Sequence, residues 1–164
     1  YSRFSQYAEG AGKNEITILW GSMYGMTAKA LVYAEEILNR EGIKYNKLKM
    51  PLTSESEMVA TVFRSAGIII AAPTYEYKLF PPVAAALNEL GRKRISGKTA
   101  FRFGSYGWSG GAENELKEII ERNKMKWDFI ESVEFEGAPK KEDLSRIEAK
   151  IHEFIEKMKQ KVVE

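Results

Sequence analysis

The feature that most restricts the fold of this chain is a regular alternation of strand and helix patterns. Residues 67–72, "GIIIAA", have the continuous apolarity of a strand buried on both faces of a sheet. With this run, four further segments predict strands: 15–20, 43–50, 99–104 and 127–137. The helical pattern covers 27–40, 54–66, 82–90, 112–123 and 141–161. Five strands alternating with five helices predict an α/β fold of right-handed βαβ units, in which helices cover both faces of a parallel sheet.

Composition and charge exclude several classes of protein. The chain has 164 residues, 44% of them hydrophobic and 29% charged, which suits one soluble globular domain. No apolar run is long enough to span a bilayer, and a net charge of +2 gives no reason to expect a nucleic-acid or membrane partner. The chain has no cysteine, which excludes disulfides and thiolate chemistry and is compatible with the cytoplasmic location that we expect.

The first residues differ in pattern from the rest of the chain. Residues 1–14 carry Tyr1, Phe4 and Tyr7, followed by the polar run "EGAGKN". We expect this segment to be a poorly ordered lead-in, or a remnant of an interdomain linker, and residues 15–164 to form the domain.

Sheets of this kind bind ligands at the carboxyl ends of their strands, where three loops should meet. The first loop, "GSMYGMT" at 21–27, has glycines that allow a tight turn, two hydroxyl side chains and a helix start behind it. It lacks the lysine of a nucleoside triphosphate loop, the G-x-G-x-x-G dinucleotide fingerprint, the acids of a receiver domain and the cysteine of a low-molecular-weight phosphatase. A monophosphate held without metal fits best. A turn that merely caps a helix fits this loop equally well.

The other two loops favour a ligand. "GSYGWSGG", residues 104–111, has four glycines in eight residues, which would let backbone amides approach a flat polar ligand, and it adds two aromatic side chains. "PTYEYKLFPP", residues 73–82, contributes two tyrosines and ends in two prolines. Three loops rich in aromatic residues and donors, without a metal-binding pattern, indicate a planar cofactor that carries a phosphate, and flavin mononucleotide (FMN) is the natural candidate.

These loops carry a resemblance to a known family. "SMYGMT" resembles the flavodoxin phosphate loop, with Tyr24 in place of its middle threonine. With "PT" followed by "FPPV", and "FGSYGWSGGA", the set is similar to the carboxyl-terminal flavodoxin-like domain of A-type flavoproteins, the flavo-diiron family, over roughly residues 15–160. The resemblance implies a flavodoxin-like doubly wound sheet of five parallel strands in the order 2-1-3-4-5, with non-covalently bound FMN. The residues implied in FMN binding are Ser22, Met23, Tyr24, Gly25, Met26, Thr27, Pro73, Thr74, Tyr75, Glu76, Tyr77, Ser105, Tyr106, Gly107, Trp108, Ser109 and Gly110.

The resemblance also implies partners. In the family, this domain passes electrons from a donor such as rubredoxin or a reductase to a diiron site that reduces oxygen or nitric oxide. That site lies in a preceding metallo-β-lactamase-like domain. The chain has one histidine, His152, which we expect on the surface, so neither metal ligands nor catalytic residues are expected here.

Other functions stay open at this point. A self-sufficient flavodoxin-like oxidoreductase that transfers hydride from NADH or NADPH to quinones or flavins is the main alternative. A binding or scaffolding domain with a vestigial pocket is a further one, and a homodimer is also open. Glu76 stands where family members commonly have asparagine, and its carboxylate could face the flavin or point to solvent beside Lys78.

Overall fold

The computed structural model describes Tyr7 and residues 10–107 and 110–163. In this part of the chain the strands are β1 (Lys13–Trp20), β2 (Lys44–Lys49), β3 (Ser65–Ala71), β4 (Thr74–Tyr75), β5 (Lys78–Leu79), β6 (Thr99–Tyr106), β7 (Asp128–Phe129) and β8 (Val133–Glu136). The helices are α1 (Met26–Arg40), α2 (Glu55–Arg64), α3 (Pro81–Arg92), α4 (Ala112–Arg122) and α5 (Lys141–Lys159).

The main sheet is parallel and follows the predicted order. Its strands run β2-β1-β3-β6, and both β7 and β8 pair with β6. β7 pairs with the beginning of β6 and β8 with its end, so the edge strand predicted over 127–137 exists as two short pieces. When β7 and β8 are counted as one strand and the small β4–β5 sheet is left out, the five strands of the main sheet, numbered along the chain, lie in the order 2-1-3-4-5. The predicted fold class is confirmed.

Helices cover both faces of this sheet. Ile69 and Phe101 pack in a core layer with α1 and α5, whereas Ile68 and Ile70 pack in the opposite layer with α2, α3 and α4. All four side chains are fully buried. Successive side chains of a strand point to opposite faces. A strand covered on both faces is therefore apolar at every position, which explains the continuous run at 67–72.

Local signals set the helix starts. Ser54 caps α2 by accepting a hydrogen bond from the Glu57 N–H at 3.2 Å. Pro81 begins α3, where its missing N–H costs nothing because the first turn of a helix has no acceptor for it. No helix in the described ranges is long and apolar enough to cross a membrane. His152 lies on α5 with a 45% exposed side chain, as expected.

Part of the predicted lead-in packs on the domain. Tyr7 is 8% exposed, and its ring meets the ring of Phe63 edge-on at 5.6 Å between centroids. β1 begins at Lys13, two residues before the predicted strand. The expectation that this segment is poorly ordered is therefore wrong for Tyr7, because an apolar surface is available to cover its ring. Tyr1 and Phe4 lie outside the described residues.

A buried lysine fastens this segment to the sheet. Lys98 is fully buried at the start of β6, and its ammonium group lies 5.9 Å from the centroid of the Tyr7 ring. Its Nζ donates to the carbonyls of Ala11, Phe63 and Ser65 at 2.9, 2.8 and 2.7 Å. One side chain thus joins the lead-in, the end of α2 and the start of β3.

The edge strand β2 is basic. Lys44, Lys47 and Lys49 are exposed along it. The Nζ atoms of Lys47 and Lys49 lie 5.6 and 5.1 Å from the centroid of the Trp20 ring on β1, at distances typical of cation–π contacts.

Candidate functional site

A cavity of about 660 Å³ lies at the carboxyl ends of the strands. This volume is in the usual range for small-molecule sites. The three predicted loops converge there, since eleven of the predicted residues line the cavity: Met23, Tyr24, Met26, Pro73, Thr74, Tyr75, Glu76, Tyr77, Ser105, Tyr106 and Gly107. Trp108 and Ser109 lie outside the described residues.

The first loop ends at the open amino end of α1. Gly25 has φ 76° and immediately precedes the helix, and this N-cap residue has no side chain that could accept from the first turn. The hydroxyl of Ser22 accepts a hydrogen bond from the Ala28 N–H at 3.3 Å. The first turn contains no acidic residue. Because the first N–H groups of a helix have no carbonyl partner within it, this end can donate hydrogen bonds to an anion.

Thr27 lies deeper than the loop residues that line the cavity. It is fully buried and, like Ser22 and Gly25, is not among the lining residues. Its Oγ1 lies 3.1 Å from the Oγ of Ser105 and accepts a hydrogen bond from the Ser105 N–H at 3.2 Å. Thr27 therefore connects α1 with the end of β6, beneath the first and third loops.

The second loop is a small hairpin. β4 and β5 pair antiparallel, and the two turn residues Glu76 and Tyr77 have φ of 48° and 67°. Positive φ at both central positions is typical of the turns that suit two-residue hairpins. The turn carries the side chains of Glu76 and Tyr77 outward, and both are exposed at the mouth of the cavity. No ion pair joins Glu76 to Lys78, although both are described.

Thr74 is an unsatisfied polar residue in the described part of the cavity wall. Its Oγ1 is buried and has no hydrogen-bond partner. A buried hydroxyl without a partner is costly, so such an atom in a cavity wall indicates a position for a polar atom of a ligand.

The third loop lies against the hairpin. A Cβ on Gly111, which has φ 157°, would stand 2.1 Å from the carbonyl oxygen of Tyr77, so the backbones approach too closely for any side chain. Glu115 on α4 accepts a hydrogen bond from the Leu79 N–H at 2.7 Å. The second and third loops therefore hold each other in place. Gly110 is exposed and lies outside the cavity lining.

A buried arginine lies beneath these two loops. Arg102, the one charge in the predicted strand 99–104, is fully buried. It donates to the Ala72 carbonyl at 2.8 Å and to the Glu134 carboxylate at 2.9 Å, and its Nη1 lies 3.6 Å from Glu113. The side chain thus joins the base of the second loop to α4 and β8.

Gly137 also lines the cavity, and the sequence interpretation missed it. It follows β8 with φ 67° and donates its N–H to the Tyr106 carbonyl at 3.0 Å. Its place as the last residue of the fifth predicted strand, 127–137, could have identified it, because that strand also ends at the carboxyl edge of the sheet.

Comparisons with known proteins agree with this architecture. No protein-family model matches the chain. A nitric oxide reductase of Moorella thermoacetica is 25% identical over 143 residues, which cover 87% of this chain and 36% of that protein. An anaerobic nitric oxide reductase flavorubredoxin of Vibrio vulnificus is 30% identical over 116 residues, or 70% of this chain and 24% of the relative. The chain therefore spans about a third or less of the length of these relatives.

Solved structures share the fold. The rubredoxin oxygen:oxidoreductase of Desulfovibrio gigas superposes with a TM-score of 0.84 at 24% identity, covering 95% of this chain and 39% of that one. An archaeal flavodoxin superposes with a TM-score of 0.73 at 20% identity, and the match covers 88% of this chain and 99% of that one. The resemblance is confirmed: the chain is a homologue of the flavodoxin-like part of flavodiiron proteins.

Proposed function

We propose that this chain binds FMN non-covalently in the cavity at the carboxyl end of the sheet and acts as an electron-transfer domain. The observation that carries the proposal is the convergence of the three predicted loops on one cavity of suitable volume. Homology to flavodiiron proteins and the shared fold of flavodoxins support a flavin as the ligand.

The donors beside this cavity suit a phosphate that is bound without a cation. Glu76 is the only charged residue that lines it in the described part of the chain. The open end of α1 and the hydroxyl of Ser22 would therefore hold the phosphate through neutral donors. Gly25, Met26 and Thr27 complete this proposed phosphate loop, in which the side chain of Thr27 acts by positioning Ser105.

The remaining wall suits a planar ring system. Tyr75 and Tyr106 contribute partly buried aromatic surface to the cavity. The unpartnered hydroxyl of Thr74 can exchange a hydrogen bond with a polar edge of the ring. Among the residues of the third loop that the resemblance implies, Trp108, Ser109 and Gly110 stay predictions.

FMN, when bound, would supply the redox chemistry, because its ring system accepts and releases electrons. The residues of this chain would bind the cofactor, orient it and leave its edge accessible at the mouth between Tyr24 and Tyr77, which are 89% and 69% exposed. We propose that a redox protein such as rubredoxin, or a reductase, delivers electrons there. The proposed acceptor is a diiron site in another domain, where oxygen or nitric oxide would be reduced.

Titration of the apoprotein with FMN and with riboflavin tests the cofactor. We expect FMN to bind at one equivalent and riboflavin much more weakly, because riboflavin lacks the phosphate. Thr74→Val should lower FMN affinity about fivefold to tenfold, the effect of one lost hydrogen bond. Equal affinities for the two flavins, or a colourless protein that does not bind FMN, would contradict the proposal.

Thr99→Val is the matched control. The Oγ1 of Thr99 is also buried without a partner, but the residue lies at the amino end of β6, away from the cavity. Removing either hydroxyl should leave stability unchanged or raise it, while only Thr74→Val should weaken FMN binding. Steady-state oxidation of NADH or NADPH by the FMN-loaded protein then distinguishes an electron-transfer domain, which should be slow, from a self-sufficient oxidoreductase.

A further inference from the structure

A second cavity, of about 490 Å³, lies at the opposite end of the sheet from the first. It is formed between the carboxyl ends of α3 and α4, which pack side by side. Four cationic residues line it, namely Arg92, Arg94, Arg122 and Lys124, and no acidic residue is among its described lining.

The two helices end in the same way. After α3, the Arg94 N–H bonds to the Gly91 carbonyl and the Ile95 N–H to the Leu90 carbonyl. This combination of bonds is the Schellman motif, which requires a left-handed residue just beyond the helix. Arg94 occupies that position with φ 60°.

After α4 the pattern repeats. The Lys124 N–H bonds to the Glu121 carbonyl and the Met125 N–H to the Ile120 carbonyl. Lys124 holds the left-handed position with φ 53°. Glycine is the usual residue there because a Cβ makes this conformation unfavourable. Two neighbouring helices thus place a basic residue where glycine would be more stable, and both residues line the same cavity.

Hydrogen bonds to the helix ends do not account for these two side chains. Basic residues often neutralise the carbonyl groups of a last helical turn. Here the carbonyls of Leu90, Gly91, Ile120 and Glu121 already accept backbone N–H groups. Both residues are exposed, and neither the Arg94 side chain nor the Lys124 side chain has a hydrogen bond or an ion pair with any described residue.

The other two cations are held in place by neighbouring groups. Arg92 is paired with Glu89, one turn earlier on α3. Arg122 is paired with Glu118 at 2.9 Å and donates a hydrogen bond to Asn88 Oδ1 at 2.9 Å. These contacts orient both guanidinium groups and neutralise part of their charge. Four cations and two carboxylates leave two positive formal charges, and the negative dipole ends of α3 and α4, each equivalent to about half an elementary charge, reduce this to about one.

We propose that this cavity binds the phosphate groups of a small polyanion, that is, a molecule carrying a diphosphate or a longer phosphate chain. The planar donor groups of arginine match phosphate oxygens in pairs, and the net charge suits a ligand with more than one negative charge. The four cations share one concave cavity, which favours a compact ligand over an extended one. The site does not depend on the function proposed for the first cavity.

Isothermal titration of the protein with inorganic pyrophosphate at low salt tests the proposal. Excess FMN is present so that the loop at 21–27 does not contribute. We expect saturable binding, and Arg94→Gly and Lys124→Gly should each weaken it about tenfold, the effect of losing one charge-assisted hydrogen bond. Because glycine fits the left-handed position, both variants should melt at the same temperature as the parent or higher. A loss of affinity therefore cannot be attributed to unfolding.

Lys126→Gly is the matched control. Lys126 also has positive φ, 54°, and carries the same charge, but it does not line this cavity. Its variant should weaken pyrophosphate binding clearly less than Arg94→Gly or Lys124→Gly does, since its charge lies outside the cavity and acts on the ligand only through solvent. No binding of pyrophosphate, or equal losses in all three variants, would overturn the proposal. Tighter binding of a hexaglutamate peptide than of pyrophosphate would overturn the assigned ligand class.

Discussion

The buried side chain of Arg102 leads to a prediction about the stability of this fold. Arg102→Met keeps much of the volume of the side chain but removes its donors. The Ala72 carbonyl then loses its 2.8 Å hydrogen bond, and the carboxylates of Glu134 and Glu113 lose the cation between them. A buried acceptor left without a donor costs about 1–3 kcal/mol. Breaking a buried ion pair on one side costs about 3–5 kcal/mol in total.

The lower end of that range applies here. The side chains of both glutamates are 28% exposed, so water can solvate these carboxyl groups in part once the guanidinium group is gone, although Glu113 Oε1 itself is buried. We expect Arg102→Met to lower the free energy of unfolding by about 3 kcal/mol. In a domain of this size, that corresponds to a decrease in Tm of about 6–12 °C. Urea unfolding and calorimetry measure the two quantities independently.

Arg92→Met is the matched control for this variant. Arg92 also pairs with a glutamate, but its side chain is 71% exposed, and exposed pairs contribute less than about 1 kcal/mol. If Arg102→Met destabilises the protein no more than Arg92→Met does, Arg102 does not stabilise the ends of the second and third loops. A loss of stability for Arg102→Met alone supports that role.

Three further predictions concern other parts of the chain. Burial lowers the pKa of Lys98 to about 7, below that of an unfolded lysine, so the free energy of unfolding should rise by about 2 kcal/mol from pH 7 to pH 9. Lys98→Met should abolish this rise when unfolding is measured in urea. Tyr7→Ala should cost about 2–4 kcal/mol in the same assay, because it removes a buried ring from Phe63; an unchanged Tm would contradict that packing. If FMN binds as proposed, Glu76→Gln should raise its reduction potential by about 20–40 mV in redox titrations at low salt and by less at high salt. An unchanged reduction potential would place the carboxylate away from the flavin.

The sequence predicted the parts of the fold that depend on local pattern. Two examples are the continuous apolar run at 67–72, which identifies β3, and the capping residue Ser54, which identifies the start of α2. Both could be predicted because burial on two faces and helix capping each require particular residue types at particular positions. The loops that line the cavity could also be predicted, since in a parallel sheet the strand order alone brings them together.

The contacts that fix those loops depend on residues far apart in the chain. Thr27 bonds to Ser105, and Arg102 to Glu134, and neither pair has a local signature. The hairpin turn at Glu76 and Tyr77 contains no glycine or asparagine, so nothing in the sequence indicates its positive φ angles. The packing of Tyr7 was missed for the same reason, since its partner Phe63 lies at the end of α2.

The two edges of the main sheet restrict how copies of this protein can associate. An unpaired edge strand is a template for strand addition, which leads to aggregation or domain swapping. At one edge, the β2 strand of a second copy would bring its own lysines towards Lys44, Lys47 and Lys49, which would have to lose water although Lys44 and Lys47 are partly neutralised by Glu15 and Glu35. At the other edge, the break between Phe129 and Val133 offers no continuous ladder of backbone groups. Self-association of this domain should therefore proceed through helix faces or loops, and it should leave the hydrogen-bonded sheet of each copy intact.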